Sequence, residues 1–212
     1  MSIKKYFIII WFIVSLTSVS TILHAQEAGW YLGAGAGLSK VDVKQDLWSD
    51  NSVSNASLDT SGFAYQVYVG YRLHANFALE ISYLQPADTV FKGVSNGSVT
   101  LWLPGNIKGE THIGGTALNV LAFWPGNPAR MQFYLKGGLL MWDSKINYSA
   151  TINDLKGFND RGASPIGGVG IQLRLVKGWD LRAEAIYSTA QLADRENVGM
   201  SFAFLGISDS FN

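Results

Sequence analysis

The sequence predicts an all-β protein, an eight-stranded antiparallel up-and-down transmembrane β-barrel that follows a cleaved signal peptide. Three observations support this fold. The chain begins with a segment that has the layout of an export signal. The remainder contains stretches in which apolar residues alternate with small or polar ones, which is the period of a β-strand. Long polar loops and tight turns alternate between these stretches, as in bacterial outer-membrane barrels.

Residues 1–25 form the predicted signal peptide. Lys4 and Lys5 give a basic start, an apolar core runs from Phe7 to Leu16, and Leu23-His24-Ala25 offers a small-residue cleavage site. A retained membrane anchor is the alternative interpretation. The apolar core is shorter than the ~20 residues that a spanning helix needs, which favours the signal peptide.

Residues 26–212 have the length of one domain, which we interpret as the barrel. Removal of the signal peptide takes two lysines from the 16 basic residues and nothing from the 16 acidic ones, so the net charge becomes about −2. This charge gives no indication of nucleic-acid binding. The sequence has no cysteine, so it provides neither a disulfide nor a thiolate metal site, and we expect no cofactor and no metal.

The predicted first strand is Gly29 to Leu38, in which glycines alternate with apolar residues. Glycines inside a narrow barrel make room for large side chains from across the lumen. A phosphate-binding Gly-x-Gly-x-Gly loop is a weak alternative because no helix pattern follows. Lys40 to Thr60 loses the alternation and is rich in Ser, Asn and Asp, which predicts a long polar loop.

The second and third strands form a predicted hairpin, Ser61 to Leu73 followed by Asn76 to Tyr83. One face of each strand is apolar and aromatic, and Glu80 lies on the opposite, small-residue face. Strands of about twelve residues are longer than the usual five or six and suit a bilayer. Gln85 to Lys108 follows as a second long loop.

The fourth strand is predicted at Glu110 to Trp124, and the fifth begins at Arg130 after a tight turn that contains two prolines. The alternation places Lys136 on the inward face of the fifth strand. Asp143 to Gly162 is a third long polar loop.

The sixth and seventh strands are predicted from Pro165 to Val176 and after the turn at Lys177-Gly178. Gln172 lies on the inward face of the sixth strand, and Arg182 and Glu184 lie on that of the seventh.

The eighth strand, Val198 to Phe211, has an ambiguous alternation. Phe202 and Phe204 share one parity, whereas the apolar residues from Leu205 onward share the other. This pattern predicts a β-bulge near Leu205 or an extension of the strand beyond the membrane.

The order of connections predicts the orientation in the bacterial outer membrane. Short turns and both termini fall on one side, and long loops fall on the other. In bacterial outer-membrane barrels the short turns are periplasmic and the long loops extracellular. We therefore expect the termini in the periplasm and the long loops outside the cell.

Five segments of the chain resemble the eight-stranded transmembrane domain of the OmpA-like outer-membrane proteins. The resemblance covers essentially all of the mature chain, and the segments are Gly29 to Ala34, Leu79 to Tyr83, Leu135 to Leu139, Leu181 to Glu184 and Leu205 to Phe211. Larger members of this family continue into a peptidoglycan-binding domain. The resemblance implies the transmembrane domain only.

The resemblance also implies an ion-pair cluster inside the barrel. Glu80, Lys136, Arg182 and Glu184 match the family cluster in kind, whereas Gln172 stands where the family has an acid. Two acids and two bases on inward positions predict a neutral plug, because buried charges are costly unless they are paired. A path for protons or ions through the cluster is the alternative.

The closing strand of the family ends in an aromatic residue that the outer-membrane assembly machinery reads. Phe211 is the penultimate residue here, and Asn197-x-Gly199-x-x-Phe202-x-Phe204 resembles a second version of that signal. These residues are the candidate assembly signal.

The mature chain contains two histidines, His74 in a short turn and His112 near the outer rim. His112 and Glu110 lie two residues apart on one strand face, which makes them the best candidates for catalysis or metal binding. One histidine with one acid is a weak constellation for a hydrolase.

Aromatic residues in the polar loops are candidates for contacts with a host or surface ligand. Such a side chain either anchors a partner or packs one loop on another. The candidates are Trp48, Phe91, Trp102 and Phe158.

We therefore expect a non-enzymatic outer-membrane protein that contributes to envelope structure and presents loops for surface interaction or adhesion. The expected partners are outer-membrane lipid, lipopolysaccharide and the assembly machinery, and the expected state is a monomer. A small-solute or ion channel is the first alternative, and a lipid A-modifying enzyme is the second.

Overall fold

The computed structural model describes residues 28–43, 52–98, 102–125, 130–149, 159–176, 178–192 and 196–211. Within them the chain forms ten strands, which are Gly29–Asp42 (β1), Val53–Asp59 (β2), Ser61–His74 (β3), Phe77–Gln85 (β4), Thr89–Ser95 (β5), Gly105–Trp124 (β6), Met131–Ser149 (β7), Asn159–Val176 (β8), Trp179–Leu192 (β9) and Glu196–Phe211 (β10). These described ranges contain no helix of the length and apolarity that crossing a membrane requires. The predicted signal peptide lies outside the described residues and stays a prediction.

Eight of these ten strands close a barrel. The order around the barrel is β1-β3-β4-β6-β7-β8-β9-β10, and β10 returns to pair with β1. Every neighbouring pair is antiparallel. The predicted eight-stranded antiparallel barrel is therefore confirmed. Closure pairs the backbone groups that an open sheet edge would expose to hydrocarbon.

The two faces of the barrel strands follow the predicted alternation. On β1, Trp30 and Leu32 are exposed and Tyr31 is buried, and on β7, Leu135 is exposed and Lys136 is buried. The exposed apolar residues form a band that faces lipid, with aromatic residues near each end. At the end that carries the short turns, which we call the short-turn end, these are Trp30, Phe77, Trp124, Phe133, Trp179 and Phe211. At the opposite end, which we call the long-loop end, they are Phe63, Tyr65, Tyr83 and Tyr187.

The remaining strands, β2 and β5, lie above the barrel at the long-loop end. β5 pairs with residues 105–111 of β6, and β2 pairs with β5. Leu84 of β4 is opposite Gly115, and Thr89 of β5 is opposite Thr111, so β5 continues along β6 where β4 ends. We call β2, β5, residues 105–111 of β6 and residues 146–149 of β7 the raised sheet.

The prediction of three long loops without strands is wrong. The ranges concerned contain β2, β5 and the ends of the neighbouring barrel strands, and they are Lys40 to Thr60, Gln85 to Lys108 and Asp143 to Gly162. The physical reason is that the outer face of the raised sheet does not face lipid. Polar residues therefore occupy outward positions, and the alternation that marks a membrane strand is lost.

The predicted β-bulge in the closing strand is also wrong. β10 pairs with β1 and with β9 without a register shift. Phe202 and Phe204 point into the barrel and stack with ring centroids 5.6 Å apart, while Leu205 and Phe211 face outward. The mixed parity arises because the upper part of the lumen is apolar, so phenylalanine belongs on the inward face there.

Three tyrosines inside the barrel lie over glycines of the adjacent strand. Tyr68 is opposite Gly33, Tyr31 is opposite Gly70, and a side-chain Cβ at either glycine would clash with the facing ring. The third pair is Tyr134 with Gly170. The expectation that glycine makes room for large side chains is correct, but the rings come from the neighbouring strand rather than from across the lumen.

We predict that Gly70→Ala lowers the free energy of unfolding by about 1–3 kcal/mol, because a methyl group at this position overpacks the ring of Tyr31. Urea unfolding of the barrel in lipid vesicles, followed by tryptophan fluorescence, measures this loss. Gly137→Ala is the matched control, since a Cβ there has no neighbour within 4 Å. Equal stability of the two variants would contradict the packing described here.

Candidate functional site in the barrel lumen

Three barrel strands place four charged side chains at one level of the lumen. Glu80 comes from β4, Lys136 from β7, and Arg182 and Glu184 from β9, all on inward positions of the strand alternation. The exposed fraction of each charged side chain is at most 2%. We call these four residues the ion-pair cluster.

Glu80 is bound by both bases of the cluster. Its Oε2 atom accepts a hydrogen bond of 2.7 Å from Arg182 Nη1, and its Oε1 atom lies 2.9 Å from Lys136 Nζ. Tyr31 donates its hydroxyl to Oε2 at 3.0 Å. Each carboxylate oxygen therefore faces a positive charge, which compensates for the water that burial removes.

Glu184 is held in the same way from the opposite side. Its Oε2 atom accepts hydrogen bonds from Lys136 Nζ at 3.2 Å and from the Tyr134 hydroxyl at 3.0 Å. Arg182 Nη2 lies 3.7 Å from the same oxygen, and the Gln66 amide donates to Oε1. Both bases contact both acids, so the four charges form one neutral unit.

The guanidinium group of Arg182 is also enclosed by aromatic rings. Its carbon lies 4.3 Å from the ring centroid of Tyr68 and 4.9 Å from that of Tyr134. Nε and Nη2 donate to the Tyr134 hydroxyl at 3.3 and 3.1 Å. Stacking on tyrosine uses the face of the planar guanidinium, and bonding to carboxylate uses its N–H edge, so arginine can make both kinds of contact at once.

Gln172 bonds to an acid outside the ion-pair cluster, contrary to its predicted membership. The register places Gln172 opposite Arg182, but its amide donates to Asp180 Oδ2 at 2.8 Å, nearer the short-turn end. Asp180 also pairs with Arg174 at 3.4 Å. Asp180 lies two residues before Arg182 on the same face of β9. Gln172 therefore binds Asp180, an acid that the sequence analysis did not consider, and not a member of the cluster.

A layer of mainly apolar side chains, which we call the apolar layer, occupies the lumen above the cluster, together with buried hydroxyl side chains such as Ser144 and Ser164. Its residues come from every barrel strand and from the raised sheet, and the largest fully buried members are Trp102, Phe91, Leu84, Met200, Val41 and Val198. Within this layer Trp142 donates its indole N–H to Ser164 at 3.0 Å, so the polar atom of the ring has a partner. The layer continues upward without a break into the raised sheet.

Phe91 and Trp102 were candidate contacts for a partner, and both are fully buried. Their ring centroids are 6.2 Å apart, and Trp102 also meets Tyr148 edge-on at 5.8 Å. These two side chains pack the raised sheet together and are not available at the surface. Trp48 and Phe158 lie outside the described residues.

The rim pair proposed for catalysis does not form. His112 Nδ1 lies 2.7 Å from Asp88 Oδ1, while Glu110 pairs with Lys108. The hydrogen bond from Lys108 lowers the pKa of Glu110. Among the described residues, no group of three or more His, Asp or Glu side chains is arranged to hold a metal ion.

The candidate assembly signal falls on both faces of β10. Phe202 and Phe204 are buried in the lumen, and Phe211 faces outward at the short-turn end with 51% of its surface exposed. Gly199 is opposite Asp42 of β1, and Asn197 is opposite Gln191 of β9. Of the three phenylalanines, only Phe211 remains accessible in the closed barrel.

Sequence reasoning missed the aromatic and polar side chains that contact the cluster, Tyr31, Gln66, Tyr68 and Tyr134, and it missed Asp180, which binds Gln172. The available signal was their inward parity at the level of the charged residues. Alternation places these residues on the inward face, but alternation alone does not indicate which inward residues from different strands meet.

A profile of the OmpA-like transmembrane domain matches residues 25–212. The chain belongs to this family. Outer membrane protein A of Serratia marcescens is 25% identical over 193 residues, which cover 88% of this chain and 50% of that protein. The chain therefore spans about half the length of this curated relative.

Solved structures with the same fold support the architecture of this OmpA-like barrel. Neisserial surface protein A gives a TM-score of 0.57 at 15% identity, with 88% of this chain and 100% of that chain covered. Ail of Yersinia pestis, solved in complex with the heparin analogue sucrose octasulfate, gives 0.51 at 15% identity with the same coverage. Both likenesses concern the fold alone.

We predict that Glu80→Gln in this OmpA-like barrel lowers the free energy of unfolding by about 3–5 kcal/mol, because it leaves two buried bases with one acid. The double variant Glu80→Gln with Arg182→Met restores one acid to one base. Its loss should therefore be smaller than the sum of the two single losses. Urea unfolding in lipid vesicles measures all three values.

Lys40→Gln is the control for this cycle, since it removes a base whose side chain is 63% exposed and whose partner Asp42 is 54% exposed. Its loss should stay below about 1 kcal/mol. Additive losses in the double variant would show that the four charges do not act as a unit.

Proposed function

We propose that this OmpA-like barrel is a non-enzymatic outer-membrane protein that contributes to envelope structure and presents its long-loop end for surface interaction. The observation that carries this proposal is the filled lumen. The ion-pair cluster occupies the lumen at the level of Glu80, and the apolar layer occupies the lumen above it. Because the lumen is closed, interactions with other molecules take place on the outer wall of the barrel and at its long-loop end.

We infer that the ion-pair cluster is a structural plug rather than a path for ions. Two acids and two bases already compensate one another, so a passing ion would have to replace existing partners. Beyond the cluster it would meet Leu84, Met200 and the other side chains of the apolar layer. Moving an ion through such a layer requires its dehydration without compensation. Gln172 and Asp180 form a separate polar group closer to the short-turn end.

The proposed orientation places the long-loop end outside the cell and the described chain ends in the periplasm. The short turns, Gly29 and Phe211 lie at one end, and the raised sheet lies at the other. This matches the usual arrangement of bacterial outer-membrane barrels. The raised sheet packs around the buried Phe91 and Trp102, which belong to the same core as the apolar layer, so it presents a rigid surface.

The structural neighbour Ail was solved with a heparin analogue. That observation supports surface interaction as the kind of role that a barrel of this fold performs. For the present chain, we propose a surface or host ligand bound at the long-loop end.

Assembly is proposed to use Phe211. Its ring faces outward on the last barrel strand, where a receptor can reach it before and after closure. Phe202 and Phe204 are proposed to act in the folded state, as part of the apolar layer. A monomer is the proposed oligomeric state, because one chain closes the sheet by itself.

We predict that the purified barrel gives no reproducible conductance steps in planar lipid bilayers, because the apolar layer closes the lumen. Ala117→Phe adds bulk inside the barrel, and Leu118→Phe adds it on the lipid-facing side of the same strand. If the wild type conducts, and Ala117→Phe abolishes the steps while Leu118→Phe retains them, the channel alternative is correct and the proposal fails.

A further inference from the structure

A group of basic side chains lies on the outer wall of the barrel, where the raised sheet begins. These side chains point away from the lumen and are exposed or half-exposed. We call the group the basic face, and it consists of Lys92 on β5, Lys108 and His112 on β6, Lys145 on β7 and Arg161 on β8.

The strand register places two of these positive charges side by side. Lys92 of β5 is directly opposite Lys108 of β6. Like charges at directly opposite positions destabilise an antiparallel pair. The sheet therefore gains no stability from this pair alone, and a bound anion would relieve the repulsion.

Acidic residues neutralise only part of the basic face. Three acids lie among the bases, and they are Asp88, Glu110 and Asp143. Two of them pair with His112 and Lys108. The third is directly opposite Arg161 in the register. Lys92 and Lys145 have no ion pair with another residue in the described part of the chain, so their ammonium groups remain for a ligand.

The basic face begins where the lipid-facing band ends. On β7, Met141 is the last exposed apolar residue, and Lys145 lies two outward positions further along, which is roughly 13 Å of strand. On β8, Arg161 is the first outward position beyond Ala163, which is opposite Met141. Lys145 and Arg161 therefore stand at the height of the lipid headgroups, whereas Lys92 and Lys108 are level with Ser149, four residues further from the band.

The aromatic residues at this edge of the band are unevenly distributed. At the long-loop end Tyr65, Tyr83 and Tyr187 belong to β3, β4 and β9. On the described parts of β6, β7 and β8, the last outward positions of the band are instead Thr116, Met141 and Ala163, which are opposite one another in the register. Tyrosine usually anchors a barrel at the membrane interface, so the β6–β8 side needs a different anchor.

We propose that Lys145 and Arg161, the part of the basic face at headgroup height, bind the phosphate groups of a phosphorylated lipid in the outer leaflet. The lipid phosphates then anchor the β5–β8 side of the barrel, as tyrosines anchor the other side. Lysine and arginine are suited to phosphate, and arginine can bind it through two donors. This inference rests on the proposed orientation, which places the long-loop end in the outer leaflet.

A lipid is favoured over a soluble anion by the position of the site. Acyl chains of a lipid bound here can lie on the exposed Leu139 and Met141, which are the outward residues of β7 below Lys145. A soluble polyanion gains nothing from that surface. The interspersed acids and the mature net charge of about −2 also leave no extended positive field to attract it from solution.

The test measures binding of lipid A with two phosphates to the full folded chain in zwitterionic detergent, by native mass spectrometry. Lys145→Gln with Arg161→Gln should weaken binding about tenfold, because two phosphate-binding cations are lost. Lys40→Gln with Arg130→Gln is the matched control. It also removes two cations, but from β1 and from the short-turn end, and should leave the affinity unchanged.

Removal of both phosphates from the lipid A should abolish the difference between wild type and the Lys145/Arg161 variant. Equal weakening by the two double variants would overturn the proposal, as would equal binding of dephosphorylated lipid A by the wild type. Full competition by inorganic pyrophosphate at the same phosphate concentration would assign the site to a soluble anion instead. A negative result in this binding experiment would leave the proposal of a closed lumen unaffected. The conductance measurement in planar bilayers tests that proposal separately.

Discussion

Arg182 lies at the centre of the interaction on which the rest of the lumen depends. Its guanidinium contacts Glu80 and Glu184 and stacks between Tyr68 and Tyr134, so it joins strands from both sides of the barrel. An eight-stranded barrel has room inside only for side chains. A charge placed there must find its partners within that space, and Lys136 completes the balance.

The apolar layer above this cluster links the membrane barrel to the raised sheet. Phe204, Trp142 and Leu84 belong to the same buried group as Phe91 and Trp102, so a single core spans the lumen and the region above it. Rearrangement of the raised sheet would therefore disturb the packing of the lumen. We interpret the protein as a rigid support whose outer wall and long-loop end are the surfaces that meet lipid and partners.

The sequence alone predicted the barrel because lipid imposes a strict alternation on each spanning strand. Trp30 to Leu38 and Phe77 to Tyr83 carry this alternation clearly. Outside the band the rule ends, and β2 and β5 went unrecognised for that reason. Inside the lumen, parity showed that Glu80, Lys136, Gln172, Arg182 and Glu184 point inward. It could not show that Gln172 meets Asp180, because contacts between strands depend on register and tilt.

We propose that the ion-pair cluster and the apolar layer close the lumen to water. The most direct test is the reactivity of a thiol placed inside the lumen. The chain has no cysteine, so a single Ala117→Cys variant reports on that level of the lumen. The thiol should not react with a small water-soluble maleimide while the barrel is folded, although Ser98→Cys, which is exposed at the long-loop end, reacts fully. Reaction of Ala117→Cys at the rate of Ser98→Cys would show an open, water-filled interior and contradict this account.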